Sequence, residues 1–329
     1  MNVLSFDAAL PVIFMALMGV SMLIYVISDG YDLGVGMLMH RASDDEKDML
    51  VASIGPYWDA NETWLVLGIG ILLIAFPKAH GVVLQALYLP VAAMLVGLMV
   101  RGVAFEFRIK AEGWHRELWN WLFWAGSTLA SLAQGFMLGR YITGFAPGFG
   151  YWLFALVVAG GVCGGYVLLG ATWLVHRTDG PLQAKATMWA RWGLLWVALG
   201  IGLVSLATPL ASETVREKWF DFPRTLGLMV LPLGTLFMGA WVWFSLGRSD
   251  WKPFAGAVAI YVLAFLGLAY SLFPFVVMDR LTIWDAAAHP SALVFMLVGT
   301  AIVLPFIIGY TFYAYRVFRG KVTGGDPYG

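Results

Sequence analysis

The chain has 329 residues, of which 60% are apolar and only 12% charged, where ordinary soluble domains carry roughly 25% charged residues. Its 20 basic and 20 acidic residues cancel, which leaves no basic surface for nucleic acid, and a single cysteine, Cys163, excludes an intramolecular disulfide or a cysteine-based metal cluster. These features define an all-α polytopic membrane protein.

A helix needs about 20 apolar residues to cross a bilayer. That ruler predicts nine spans, over residues 8–28, 54–77, 82–107, 117–141, 149–175, 187–210, 223–246, 253–277 and 291–316. The connections are too short for a soluble domain, so residues 1–329 read as a single membrane domain. Met1 to Asp7 holds no Lys or Arg ahead of the first apolar run, which argues against a cleaved signal peptide and keeps that run as a membrane helix. Loops after the first, third, fifth and seventh spans, with the C-terminal tail, hold 12 Lys and Arg, from Arg41 and Lys47 to Arg319 and Lys321; the opposite side holds 6. The bias places the C-terminus in the cytoplasm and the N-terminus outside.

The first span runs into Ser28-Asp29-Gly30-Tyr31-Asp32-Leu33-Gly34-Val35-Gly36, and acids reappear at Asp59 and Glu62 where the second begins. A charge in hydrocarbon costs at least about 2.5 to 3.5 kcal/mol, so acids at membrane depth point to an ion or proton path. The spacing i, i+3 sets Asp29 with Asp32, and Asp59 with Glu62, on shared helix faces. The glycines predict that the first helix ends or distorts here, freeing polar backbone to line a hydrated pocket. The third span reaches the same side with Arg101-Gly102-Val103-Ala104-Phe105-Glu106-Phe107-Arg108, and Arg101 within its apolar run needs an acidic partner. The layout is that of a half-channel open to the cytoplasm. Helix caps or snorkelling side chains would account for any one of these residues alone, but less well for three helices converging.

Elsewhere the sequence reads as scaffold. Gly160, Gly161, Gly164 and Gly165 make small-xxx-small pairs for close helix approach. Trp114, Trp119, Trp121, Trp124, Trp189, Trp192 and Trp196 fall near span ends, as an interfacial belt would. The outer segment from Leu281 to Ala287 receives no role from composition. His40, His80, His115, His176 and His289 all lie in loops or at span ends, so none is placed as an intramembrane haem ligand. No phosphate loop, zinc spacing or Ser/His/Asp set stands out.

The blocks from Asp29 to Gly36, Trp58-Asp59-Ala60-Asn61-Glu62-Thr63-Trp64-Leu65-Val66 and Arg101 to Arg108 resemble subunit II of cytochrome bd ubiquinol oxidase. Gly170-Ala171-Thr172-Trp173-Leu174, Phe273-Pro274-Phe275-Val276 and Leu281 to Ala286 continue the likeness across essentially the whole chain. Short loops after the fourth and sixth spans are similar to the compact, cyanide-insensitive type. The resemblance implies an inner-membrane terminal oxidase that oxidises quinol and reduces oxygen to water, paired with a subunit I that carries two haems b, one haem d and the quinol site. It implies no cofactor, metal or catalytic residue on this chain, a nine-helix fold, and a share in a cytoplasmic proton path. Carried over, Asp59 is the foremost acid of that path, with Asp29 and Asp32 near its mouth, Glu62 beside them and Arg101 as electrostatic partner. Glu106 stands where many members have Asp. Membrane lipids surround such a protein, and the resemblance leaves open a small third subunit and a quinone in contact with this one. The competing reading is a proton-coupled transporter, which would show paired broken helices in two repeated halves; here the acids concentrate in the first third. A purely structural partner, tolerant of Asn at position 59, is the third reading.

Overall fold

The computed structural model describes residues 6–322; Met1 to Ser5, part of the segment read as an uncleaved start, and residues 323–329 lie outside the described residues. The elements are α1 (Phe6–Leu38), α2 (Asp44–Ile54), α3 (Trp58–Ala75), α4 (Pro77–Lys110), α5 (Gly113–Ile142), α6 (Phe149–Arg177), α7 (Gly180–Ala211), α8 (Glu213–Phe220), α9 (Arg224–Leu228), α10 (Val230–Ser245), α11 (Lys252–Leu272), β1 (Phe275–Val277), β2 (Leu281–Thr282), α12 (Ile283–Ala286) and α13 (Pro290–Val317). Among the described residues, eight helices are long and apolar enough to cross a membrane. The remaining long helix, α5 with 30 residues, matches the fourth predicted span; Trp119, Asn120, Ser127, Ser131 and Gln134 make it less apolar.

Several boundaries move for local reasons. Helix α2 was not expected: a capping box, in which Ser43 and Glu46 satisfy each other's backbone amides, starts it before the second span. Pro77 and Pro290 stand at the first positions of α4 and α13, where the missing amide hydrogen costs nothing. The seventh predicted span is split into α9 and α10, and the eighth stops at Leu272 rather than at residue 277.

The expectation that the first helix breaks at its glycines is overturned. Helix α1 continues unbroken to Leu38, and the glycines serve close packing instead. A Cβ on Gly34 would lie 1.8 Å from the carbonyl oxygen of Tyr166, and one on Gly170 would lie 2.5 Å from the Gly34 backbone, so α1 and α6 cross almost backbone to backbone. A Cβ on Gly36 would strike Ser127 of α5 at 2.1 Å. Gly97 and Gly126 do the same for α4 and α5, bringing Gly126 against the backbone of Arg101. Small residues thus set the helix spacing, as expected where lipid gives helices no hydrophobic reason to associate.

The small-xxx-small run in α6 is only partly used that way. Gly161 meets Gly200 of α7, Gly164 receives Trp196 and Gly165 receives Tyr261, whereas Gly160 faces open space. The tryptophan belt is likewise mixed. Trp114, Trp121, Trp192 and Trp196 are exposed, but Trp189 is buried in the main core, with Trp119 and Trp124 packed against it.

The main core gathers side chains of α1–α7, α10 and α11 around Tyr31, Tyr166 and Trp173. The outer segment that composition left without a role closes a second core. Strands β1 and β2 pair antiparallel, and Val276, Val277, Ile283 and Ala286 pack on Leu10 and Phe14 of α1 and on Ile71 of α3. The Trp284 indole donates to the Ala8 carbonyl at 3.0 Å, and the Ala288 amide to the Ala75 carbonyl at 2.9 Å. At the opposite end, ion pairs join the loops richer in Lys and Arg: Lys185 to Glu46, Lys47 to Asp44 and Glu117, Asp48 to Arg108 and Arg116, and Lys321 to Asp179 and Asp250.

Candidate functional site

Three helices converge one or two turns inside the ion-paired end. Asp29 and Asp32 project from the last third of α1, and both are fully buried. Arg101, from α4, is 1% exposed and lies between two carboxylates. Its Nη1 donates to Asp29 Oδ1 at 2.7 Å, and its Nη2 donates to Glu62 Oε1 of α3. The guanidinium also sits 6.0 Å from the ring of Trp58, which packs on Phe105. Glu62 keeps 29% of its side chain exposed, so the triad runs from the surface of the chain to a fully buried acid.

Asp32 belongs to a second, adjoining set. Asn61 of α3 donates through Nδ2 to Asp32 Oδ2 at 2.8 Å and to the Tyr31 hydroxyl at 2.9 Å. The Tyr315 hydroxyl of α13 donates to Asn61 Oδ1 at 3.0 Å and lies 2.6 Å from that of Tyr31. Tyr57 stacks on Tyr315, and both Tyr57 and Arg177 donate to the Phe318 carbonyl at 2.6 Å, tying the end of α13 to this set. Deeper in the bundle, Tyr166 donates to Gln134 Oε1 at 2.6 Å, and Gln134 Nε2 donates to the Tyr25 hydroxyl at 2.7 Å. Tyr25 lies one turn before Asp29 on the same helix face.

Three buried polar atoms in the cluster have no protein partner: Asp29 Oδ2, Asp32 Oδ1 and Arg101 Nε. Buried polar groups are normally hydrogen-bonded, and an unpaired one calls for a reason. Two free carboxylate oxygens beside a guanidinium are acceptors for water or for a proton in transit.

The six predicted site residues divide. Asp29, Asp32, Glu62 and Arg101 come together; Asp59 and Glu106 do not. Asp59 occupies the first turn of α3, exposed on the outer face of the chain, where an acid suits the helix dipole. Glu106 is exposed near the end of α4. Asn61, Tyr31 and Tyr315 were missed as site residues. Asn61 and Tyr31 sit inside the acidic blocks and could have been flagged as polar side chains on the same faces; Tyr315, in the last helix, carries no such signal.

The histidines stand at helix ends, and among the described residues no three His, Cys, Asp or Glu side chains are grouped to hold a metal ion. His40, His115 and His289 are exposed. At helix ends, these residues do not fit a haem iron held between helices at membrane depth.

Fold and site together define a multi-pass helical membrane protein with a charged, hydrogen-bonded interior at one end. The sequence model of the cytochrome bd terminal oxidase subunit II family matches residues 10–318, and the chain belongs to that family. It is 29% identical to cytochrome bd ubiquinol oxidase subunit 2 of Bacillus subtilis, over 91% of this chain and 93% of that one. It is also 29% identical to cytochrome bd-I ubiquinol oxidase subunit 2 of Escherichia coli K12, over 94% of each. A solved structure of bd oxidase from Geobacillus thermodenitrificans shares the fold, with a TM-score of 0.78, 18% identity, and coverage of 94% of this chain and 98% of that one. The chain is therefore the second subunit of a bd-type terminal oxidase of the bacterial inner membrane, made to pair with a subunit I, and the transporter reading is not favoured.

Proposed function

We propose that this chain supplies protons to quinol-driven oxygen reduction, taking them from the cytoplasmic side through Glu62, Asp29 and Asp32, with Arg101 as the fixed counter-charge between them. Haem in the partner subunit supplies the oxygen chemistry; the residues of this chain bind, hold and release protons. Reduction of oxygen to water consumes protons, and these must enter low-dielectric protein one at a time. Glu62 is the exposed port. Arg101 lowers the cost of a carboxylate at Asp29 and couples the two acids, since a proton arriving on either changes the charge the guanidinium balances. Two carboxyls on one cation, with a third buried beside them, change their total charge only by gaining or losing protons, which is the property a relay needs.

The observation that carries this reading is the guanidinium held between a fully buried carboxylate and a partly exposed one, with free carboxylate oxygens beyond it. The cytoplasmic assignment rests on the Lys and Arg bias of the loops at that end. Asp59, on the outer face, is proposed as a surface acid near the port, not as a member of the buried relay. The experiment compares Glu62→Gln, Asp29→Asn and Asp59→Asn in the assembled complex, with haem content as the control for assembly. Quinol-driven oxygen consumption should fall at least tenfold in the first two and less in the third. Full turnover in Glu62→Gln and Asp29→Asn with normal haem content would sink the proposal.

A further inference from the structure

A neutral tyrosine hydroxyl has one proton to donate, and an asparagine amide has two donor hydrogens on nitrogen and acceptor sites on oxygen. The Tyr315 hydroxyl spends its proton on Asn61 Oδ1. The contact between the two tyrosines must then be donated by Tyr31, and the Tyr31 oxygen in turn accepts from Asn61 Nδ2. The three groups close a ring in which every hydroxyl proton is used. One hydrogen of Asn61 Nδ2 is left over, and it is aimed at Asp32 Oδ2 at 2.8 Å, with the Ser28 carbonyl further off at 3.4 Å. The opposite amide orientation would set a carbonyl oxygen against the carboxylate, with the two hydroxyls reversing their donation round the ring, so the contact with Asp32 decides the orientation.

We propose that Asn61, Tyr31 and Tyr315 form a positioning ring for Asp32. Tyr315 acts through Asn61: it fixes the amide so that a single N–H is presented to one carboxylate oxygen, leaving Asp32 Oδ1, which is buried and unpartnered, as the one open atom for an incoming proton. The ring carries no proton itself, because its amide has none to pass on without breaking a ring bond. It also makes the last helix, otherwise mostly exposed, part of the site: Phe318, one turn beyond Tyr315, is held by Tyr57 and Arg177. The proposed turnover consequence rests on the proton-uptake reading above; the positioning itself does not.

The test uses the assembled oxidase and redox-difference infrared spectra, in which the Asp32 carboxyl band is identified by its loss in Asp32→Asn, or by carbon-13 labelling of aspartate where that variant does not assemble. Tyr315→Phe opens the ring and should shift the Asp32 band and slow turnover about fivefold, the loss expected for one net hydrogen bond, with KM for quinol unchanged. Tyr31→Phe is the second ring variant and should move the same band. Tyr315→Phe added to Asn61→Leu should have no further effect, since both act through one amide. A band indifferent to both tyrosine variants, or full additivity with Asn61→Leu, overturns the proposal. A band that responds to Tyr315→Phe while Asp32→Asn keeps full turnover sustains the ring and removes Asp32 from the proton path.

Discussion

Replacing Arg101 by Met keeps most of the side-chain volume and removes the cation. Arg101 and Asp29 are 2.7 Å apart, with side-chain exposures of 2% and 0%, so neither can turn to water when its partner is lost. At an effective dielectric of about 20, the attraction at that distance is about 6 kcal/mol, much of which offsets the cost of dehydrating the two groups. What remains in the variant is a fully buried carboxylate without its counter-ion, and breaking a buried pair from one side costs about 3 to 5 kcal/mol. Glu62, with 29% exposure, can rehydrate and adds little. Against a total stability of about 5 to 15 kcal/mol, such a loss is severe. The double variant Arg101→Met with Asp29→Leu removes both charges and should recover most of it, because a buried pair replaced by apolar groups is often close to neutral. The assay is the yield of haem-containing complex and its half-life on heating in one detergent. A single variant as durable as the parent, or a double variant no better than the single, would refute the claim that Arg101 is held in place by Asp29.

Other outcomes follow from the same geometry. Gly34→Ala puts a Cβ 1.8 Å from the Tyr166 carbonyl oxygen, and should lower the yield of folded complex at or beyond the usual overpacking cost of about 1 to 3 kcal/mol; Gly70→Ala, with nothing within 4 Å, should leave it unchanged. Outside the spans, the Lys321 ammonium hydrogen-bonded to Asp250 holds that carboxyl below the usual carboxylate range. A carboxyl depressed in the folded state contributes fully above its unfolded value, near about pH 4, and loses that contribution as pH falls through the folded value. Proteolysis of the C-terminal segment should accelerate below about pH 4, and Asp250→Asn should weaken that dependence. A reduced-minus-oxidised spectrum of this chain purified alone should show no haem bands, which should appear with the partner subunit; bands from the chain alone would contradict the histidine placement.

The buried pair was legible in the sequence because charge at membrane depth is anomalous and needs a partner, and Arg101 among the first three spans had few to choose from. The division between Glu62 and Asp59 was not. Both lie in the first turns of α3, and which of them turns inward depends on how α1 and α4 pack against it. The glycines after Asp29 were misread for a definable reason: glycine serves both a helix end and a close crossing, and only the position of Tyr166 and Gly170 on α6 decides between them. Tyr315 could not have been assigned, since its role arises from where the last helix ends. The segment from Leu281 to Ala287 lacked a role for a similar reason, because its apolar residues cover the ends of α1 and α3.

The most direct test of the account is proton uptake during a single turnover with oxygen, followed with a pH-sensitive dye on the cytoplasmic side of vesicles holding the assembled oxidase. The parent should take up protons from that side in step with oxygen reduction, and Glu62→Gln and Asp29→Asn should slow uptake together with turnover while haem content stays normal. Uptake at the parent rate in both variants would contradict it.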